Sequence, residues 1–326
     1  MHAVVIGEFG DPAVLRPDSF PDPPERPGWA TVELKAAALN WHDVLVRQGR
    51  YRSPLPHVIG ADGAGVRRDT GDEVVIVPSL HWGERDEAPG ADWEILGDNI
   101  PGTYAELVSV PAECLAPKPA GFSWVQAAAL PLVGLTTYRA LFSRGRLRAG
   151  ESMLVVGAGG GIATMAVQLA SHSGASIFVT SSSTDKIAQA STEGASGGVL
   201  HTDPDWPEQA RQLSPSGRGF DLVLDPVGRW PESVRALQPG GRLVVLGANA
   251  AETAPMDVRR FYFGQYDLLG TTMGNVRDFT RLLGLLAEHR VPPPVIDRIF
   301  PLDQAAEAHE HLENARGFGK TVLEIA

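Results

Sequence analysis

The chain has 326 residues, 43% of them hydrophobic, and a formal net charge of −11. That length suggests two domains; no apolar run approaches the roughly 20 residues of a membrane span, and the negative balance argues against a nucleic-acid backbone as partner. Cys114 is the only cysteine, which excludes intrachain disulfides and cysteine-clustered metal sites, and the opening MHAVVIGEFGDP has no basic stretch followed by an apolar one, so the expected location is cytoplasmic.

In chain order, roughly the first 120 residues read as short strands set off by turn residues. Residues 31–39 alternate, with Thr31, Glu33 and Lys35 on one face and Val32, Leu34 and Ala36 on the other. A second strand is expected at 73–77, bounded by Gly71 and Pro78, and a third at 104–110. The polar segment 79–101, with acids at Glu84, Asp86 and Glu87, reads as a solvated surface loop in which Trp82 and Trp93 serve local packing. From Phe122 helices and strands alternate. A helix over 127–141, interrupted by Pro131, precedes a strand at 154–156, a helix at 162–172, a strand at 177–180 and a helix at 185–193. A strand at 221–224, a helix at 230–237, a strand at 242–246 and an apolar segment at 267–271 follow. This order predicts an α/β protein with a doubly wound parallel sheet. The tail carries helices over 278–289 and 303–315 and a strand at 321–325 expected to return to the first domain. The expected division is therefore 1–121 with 275–326 as one domain and 122–274 as the other.

The run LVVGAGGGIATMAVQLA, residues 154–170, carries the most chemistry. It sets an apolar strand, a glycine-rich turn and a helix in the order a dinucleotide site needs. Glycines let the backbone approach a pyrophosphate, and the helix N-terminus offers N–H groups to the anion. The residue closing the next strand discriminates between the two nicotinamide dinucleotides. An acid there binds the ribose hydroxyls and repels a 2′-phosphate. Here the strand is followed by Ser181, Ser182, Ser183, Thr184, Asp185 and Lys186. No acid stands at the strand end, and the hydroxyls and lysine suit a phosphate dianion, which favours NADPH. Asp185 is read as a helix cap.

Several segments together resemble the medium-chain dehydrogenase/reductase superfamily, and within it the zinc-free quinone oxidoreductase branch. They are LNWHDVLVRQGRY with Asn40 and Asp43, IGADGAG (59–65), GTYAELVSVP (102–111), ALPLVGLTTYRAL (129–141), the glycine-rich turn, and FGKTVLEI (318–325). The resemblance covers nearly the whole chain. It implies a GroES-like strand-rich catalytic domain with a Rossmann domain inserted before its last segment. It also implies that Gly160, Gly161 and Ile162 line the pyrophosphate, and that Ser182 and Lys186 hold the 2′-phosphate with His201 nearby. Asn40 and Thr136 would face the nicotinamide end, Gly247 would pass the nicotinamide ribose, and Lys320 would reach the cofactor. Zinc-dependent alcohol dehydrogenases of the superfamily carry cysteine where Asn40 stands, Gly-His-Glu in place of Gly60-Ala61-Asp62, and a third ligand near Leu132. Ala61 and Leu132 cannot ligate, so no metal is expected.

Without a Lewis acid, the hydride acceptor should itself be electrophilic, such as a quinone or an α,β-unsaturated carbonyl. Tyr51, in the Gly-x-Tyr position of the family pocket, is the first candidate proton donor, and Asn40 would orient the nicotinamide or the substrate oxygen. His42 is the third catalytic candidate, sharing a face with Asn40 if the segment is extended. The expected activity is NADPH-dependent reduction of a small electrophile by a homodimer, with strand 267–271 as the pairing edge. The alternatives are an alcohol dehydrogenase with an atypical zinc site and a non-catalytic NADPH-binding protein.

Overall fold

Alternation in the first third of the chain builds most of a largely antiparallel sheet, and the repeated strand–helix pattern after it builds a parallel one. The computed structural model of the chain describes residues 1–51, 53–314 and 316–325. They divide into two compact units, Met1–Leu135 with Gly274–Leu283 and Pro293–Ala326, and Thr136–Met273 with Gly284–Pro292.

In the first unit the sheet strands are β1 (Trp29–Ala38), β2 (Asp62–Arg67), β3 (Glu73–Ile76), β4 (Leu107–Pro111), β5 (Leu115–Pro117) and, from the far end of the chain, β12 (Ile296–Pro301) and β13 (Lys320–Glu324). Within the described residues they form a seven-stranded sheet in the order β12-β13-β1-β2-β3-β5, with β4 also paired to β1. The alternation of β1 decides its faces: Val32, Leu34 and Ala36 are buried while Glu33 is exposed. The returning strand pairs antiparallel with β1 through Val322 and Ala38, which brings Lys320 beside the end of β1. Helix α1 (Trp41–Arg47) follows its N-cap Asn40, which lies two residues after β1 and whose N–H donates to the Asp43 carboxylate at 2.8 Å.

The sequence places the change of pattern at Phe122, but the first unit runs on to Leu135. Helix α2 (Trp124–Ala128), capped by Ser123 and Gln126, packs on β1 and β2. Pro131 then starts α3 (Pro131–Tyr138), because a ring that breaks a helix interior is tolerated in its first turn. The segment 79–101 is not a freely solvated loop. Ser79–Leu80 pairs with Glu94–Ile95, Trp82 is buried edge-on to Trp93 at 5.9 Å, and Asp86 accepts from Asn275 Nδ2 at 3.0 Å and Arg277 Nε at 2.7 Å.

In the second unit β6 (Ser152–Val155), β7 (Ser176–Ser181), β8 (Gly197–Leu200), β9 (Phe220–Asp225), β10 (Leu237–Val245) and β11 (Asp267–Gly270) form a six-stranded sheet within the described residues, in the order β8-β7-β6-β9-β10-β11. All its pairings are parallel. This is the doubly wound dinucleotide-binding topology, which reverses strand order next to its first strand. Helices α4 (Gly161–His172), α5 (Thr184–Thr192), α6 (Trp206–Leu213), α7 (Trp230–Arg235) and α8 (Val258–Phe263) connect the strands. Strand β8 and helix α6 were not expected. The strand opens on two glycines, and the helix is anchored through Trp206, 1% exposed in a core with Phe178, Phe220 and Leu243.

Helices α9 (Val276–His289) and α10 (Ala305–Glu313) fall where the tail periodicity puts them. Ala315, the last residue of the second predicted helix, lies outside the described residues. No described helix is long and apolar enough to cross a membrane.

Candidate active site

The candidate nucleotide cradle lies at the carboxyl ends of the second unit's strands. Gly157, at φ +114°, turns the chain off β6, and its N–H donates to Thr180 Oγ1 at 3.0 Å. No atom lies within 4 Å of where a Cβ would stand on Gly157 or Gly160, so the backbone there faces open space. Gly160 caps α4, so the first-turn N–H groups of Gly161 and Ile162 have no partner within the helix and lie at its positive end. A pyrophosphate fits this geometry. Gly247 follows β10 where a Cβ would run into the Pro226 carbonyl, so only glycine lets the two turns meet.

Ser183, rather than Asp185, caps α5, and its Oγ accepts from Lys186 N at 3.4 Å. Asp185 sits exposed in the first turn, Ser182 is exposed, and Lys186 lies part-buried one residue beyond Asp185. His201 reaches this strand end directly: its N–H donates to the Ser181 carbonyl at 2.9 Å, and Nδ1 lies 3.1 Å from Thr180 Oγ1. Burial and then the Arg229 charge hold the imidazole below its usual range. Arg229, which bonds the His201 carbonyl at 3.4 Å, was missed in the sequence. Thr136 is buried, with its hydroxyl 3.8 Å from Met273 Sδ.

The first unit holds a closed polar knot. Lys320 Nζ donates to the Leu39 carbonyl at 2.6 Å, Asn40 Oδ1 at 2.6 Å and Asp62 Oδ2 at 3.1 Å. Asn40 Nδ2 in turn donates to Asp62 Oδ2 at 3.0 Å, and Leu132 N–H donates to Asp62 Oδ1 at 2.7 Å. Lys320 is 4% and Asp62 0% exposed, so these bonds form in a dry interior. An ammonium has three protons, and all three are placed. The geometry therefore argues against Lys320 as a cofactor contact and leaves Asn40 little to offer a nicotinamide. A second chain of bonds runs inward from α1: Tyr104 Oη donates to Asp43 at 3.3 Å and lies 3.1 Å from His309 Nε2. Burial pushes the Asp43 carboxyl up to about 6.

His42 belongs to α1, so it does not share an extended face with Asn40; two residues along a helix turn it to another side. It meets Asp98 instead, Nε2 to Oδ1 at 2.6 Å. The Tyr51 ring stands edge-on to the imidazole at 4.6 Å between centroids. Tyr51 is 37% exposed, and its phenol is held above its ordinary range by burial and by Asp98. Asp98 was missed because it lies in the polar segment read as solvated, with no pattern tying it to a histidine 56 residues away.

A catalytic zinc does not fit these residues. It needs about three protein ligands from Cys, His and carboxylate. Both Asp62 oxygens and both polar ends of Asn40 are bonded, an ammonium stands between them, and Ala61 and Leu132 carry no side-chain donor. Among the described residues no cluster of three or more His, Cys, Asp or Glu is arranged to hold a metal. Cys114 is buried, its thiol pushed up to about 12 by burial.

Residues 26–120 match the alcohol dehydrogenase GroES-like domain, and residues 161–288 match the zinc-binding dehydrogenase family. The chain is 30% identical to a zinc-type alcohol dehydrogenase-like protein of Schizosaccharomyces pombe, over 100% of this chain and 99% of that one. It is 28% identical to the quinone oxidoreductase of Mus musculus, over 99% and 97%. The crystal structure of an NAD-dependent alcohol dehydrogenase superposes with a TM-score of 0.93 at 37% identity, covering 100% of both chains.

Proposed function

Because the chain belongs to the medium-chain dehydrogenase/reductase superfamily of oxidoreductases, we propose that it is an NADPH-dependent reductase of quinones or α,β-unsaturated carbonyls that works without a metal. The observation that carries this reading is the knot of Lys320, Asn40 and Asp62. Its polar groups bond one another and leave no free donor set there for a Lewis acid that would polarise an ordinary ketone. That supports an acceptor that draws electrons by its own structure. Bound at the glycine cradle, the reduced nicotinamide supplies the hydride. The chain's own work is to hold the dinucleotide, with Gly157, Gly160 and the start of α4 at the pyrophosphate, and to meet the negative charge that develops on the acceptor. Ser182 and Lys186 support the 2′-phosphate, since no acid closes β7. Cytoplasmic location and small-molecule substrates complete the reading.

We also propose a homodimer. Strand β11 is the edge of its sheet, and Val258, Tyr262, Phe263 and Leu268 nearby in sequence are exposed, an apolar set that a second copy would cover.

The deciding experiment measures NADPH and NADH oxidation against quinones, enones and simple ketones, with metal analysis of the same protein. Turnover of quinones or enones by zinc-free protein is the expected result. Activity confined to alcohols and ketones, with about one zinc per chain lost together with activity, would overturn it.

A further inference from the structure

We propose that Thr180 is a positioning residue for the dinucleotide. Its single hydroxyl joins the glycine turn after β6 to the imidazole of His201, and fixes that ring as a donor, through Nε2, to an oxygen of the 2′-phosphate. The inference rests on the NADPH reading above, and every residue in it belongs to the second unit. Thr180 is the last residue but one of β7 and is fully buried. Two contacts engage its hydroxyl among the described residues: the Gly157 N–H donates to it at 3.0 Å, and His201 Nδ1 lies 3.1 Å away.

The protons decide the rest. A backbone N–H can only donate, so the Gly157 bond uses a lone pair of the hydroxyl and leaves its hydrogen to be placed. Solvent does not reach a fully buried hydroxyl, and a buried donor left unpaired is costly. The acceptor within reach is His201 Nδ1. The hydroxyl therefore donates to Nδ1, and the ring carries its own proton on Nε2. Nε2 bonds no described residue and is not among the described buried polar atoms that lack a partner, so it is open to solvent or a ligand. The backbone of His201 is held as well. Its N–H donates to the Ser181 carbonyl at 2.9 Å, at the carboxyl end of β7, where a doubly wound sheet receives the ribose of a dinucleotide.

The charged groups on the elements around the ring are Arg229, Asp203, and Asp185 and Lys186 in the first turn of α5, which packs on β7 and β8. Arg229 Nη1 donates to the His201 carbonyl at 3.4 Å. Asp203 accepts from Asp205 N at 2.9 Å and from Gln209 Nε2 at 2.7 Å. Burial and then Arg229 keep the imidazole below its usual range, so the ring is neutral at neutral pH. Protonating Nδ1 would strand the Thr180 hydrogen, which acts in the same direction. One hydroxyl thus sets both the turn that meets the pyrophosphate and the ring that meets the 2′-phosphate.

The first arm of the test reads the ring before any nucleotide is added. In the nucleotide-free protein, 15N NMR should show His201 as the Nε2–H tautomer. Thr180→Val keeps the side-chain shape without the hydroxyl; it should give a mixture of tautomers and raise the pH at which the ring titrates. Thr180→Ser should restore the parent spectrum. The second arm measures dissociation constants for NADPH and NADH by protein fluorescence. Thr180→Val should weaken both through the Gly157 turn, and NADPH about fivefold more than NADH. In a His201→Phe background the same substitution should cost both nucleotides equally, because the ring no longer has a nitrogen for Thr180 to hold. A parent ring protonated on Nδ1, which is decisive even if Thr180→Val does not fold, overturns the proposal. So does a tautomer unchanged in Thr180→Val, or a loss specific to NADPH that persists in the His201→Phe background. A parent with the Nε2–H tautomer that binds NADH as tightly as NADPH would instead sink the NADPH reading, and with it the 2′-phosphate role of the ring.

Discussion

Lys320 Nζ lies 2.6 Å from Asn40 Oδ1, so the last strand of the chain is fastened to the residue that follows β1. The same ammonium neutralises Asp62, which is fully buried. Removing it leaves a carboxylate without a counter-charge. Lys320→Met should therefore destabilise the protein by about 3–5 kcal/mol. Adding Asp62→Asn to that variant should return part of the loss, because the stranded charge is then gone. Urea unfolding of the parent, single and double variants tests both statements. A single variant within about 0.5 kcal/mol of the parent would show that the knot is not a stability element.

The serine run and Lys186 make a sharper prediction about the cofactor. Lys186→Ala should weaken NADPH binding about tenfold, roughly 1.4 kcal/mol, and leave NADH within a factor of about two. Titration of each dinucleotide by protein fluorescence checks this. Equal losses for both would remove Lys186 from the 2′-phosphate and fit the cofactor in the name of the NAD-dependent relative.

His309 predicts acid sensitivity. Its ring stands edge-on to Tyr104, with Nδ1 buried and without a partner among the described residues, and burial followed by the Arg47 charge lowers it to about 3 from 6.5. The folded ring stays neutral while the unfolded one takes up a proton. Stability present above pH 6.5 is therefore lost as pH falls toward 3. Asp43, raised to about 6 from 3.8, has the opposite sign: its contribution is complete below 3.8 and is lost as pH rises through 6. His309→Gln should flatten the acid side of the stability curve and leave the Asp43 contribution in place. Urea midpoints across that window decide it, and parallel curves for parent and variant would refute the assignment.

The edge of the second unit's sheet predicts assembly. Phe263 is 67% exposed and Leu268 38%, on or beside β11. Phe263→Glu combined with Leu268→Lys should convert a dimer to a monomer by light scattering, with secondary structure by circular dichroism unchanged. A parent protein that is already monomeric at micromolar concentration would rule the interface out.

The parallel sheet and its glycine turn were legible in the sequence because both are local. Strand 154–156, the glycines and helix 162–172 are neighbours along the chain, and the structure differs there by a residue or two. The same holds for the alternation of β1 and for the missing acid at the end of β7. Strand β8 escaped because two glycines remove the side chains that mark a strand, and α2 escaped because its packing on β1 and β2 leaves no periodic trace.

The chain's residues alone were enough to establish the fold class, the strand–glycine turn–helix unit and the lack of side-chain donors at Ala61 and Leu132, since each depends on residue type and short-range spacing. Contacts between residues distant in the chain decided the rest: Lys320 turned inward to Asn40 and Asp62, and Asp98 bonded to His42 across 56 positions. A buried polar group must find a partner, and which partner it finds depends on how the chain comes together, information that no local pattern carries.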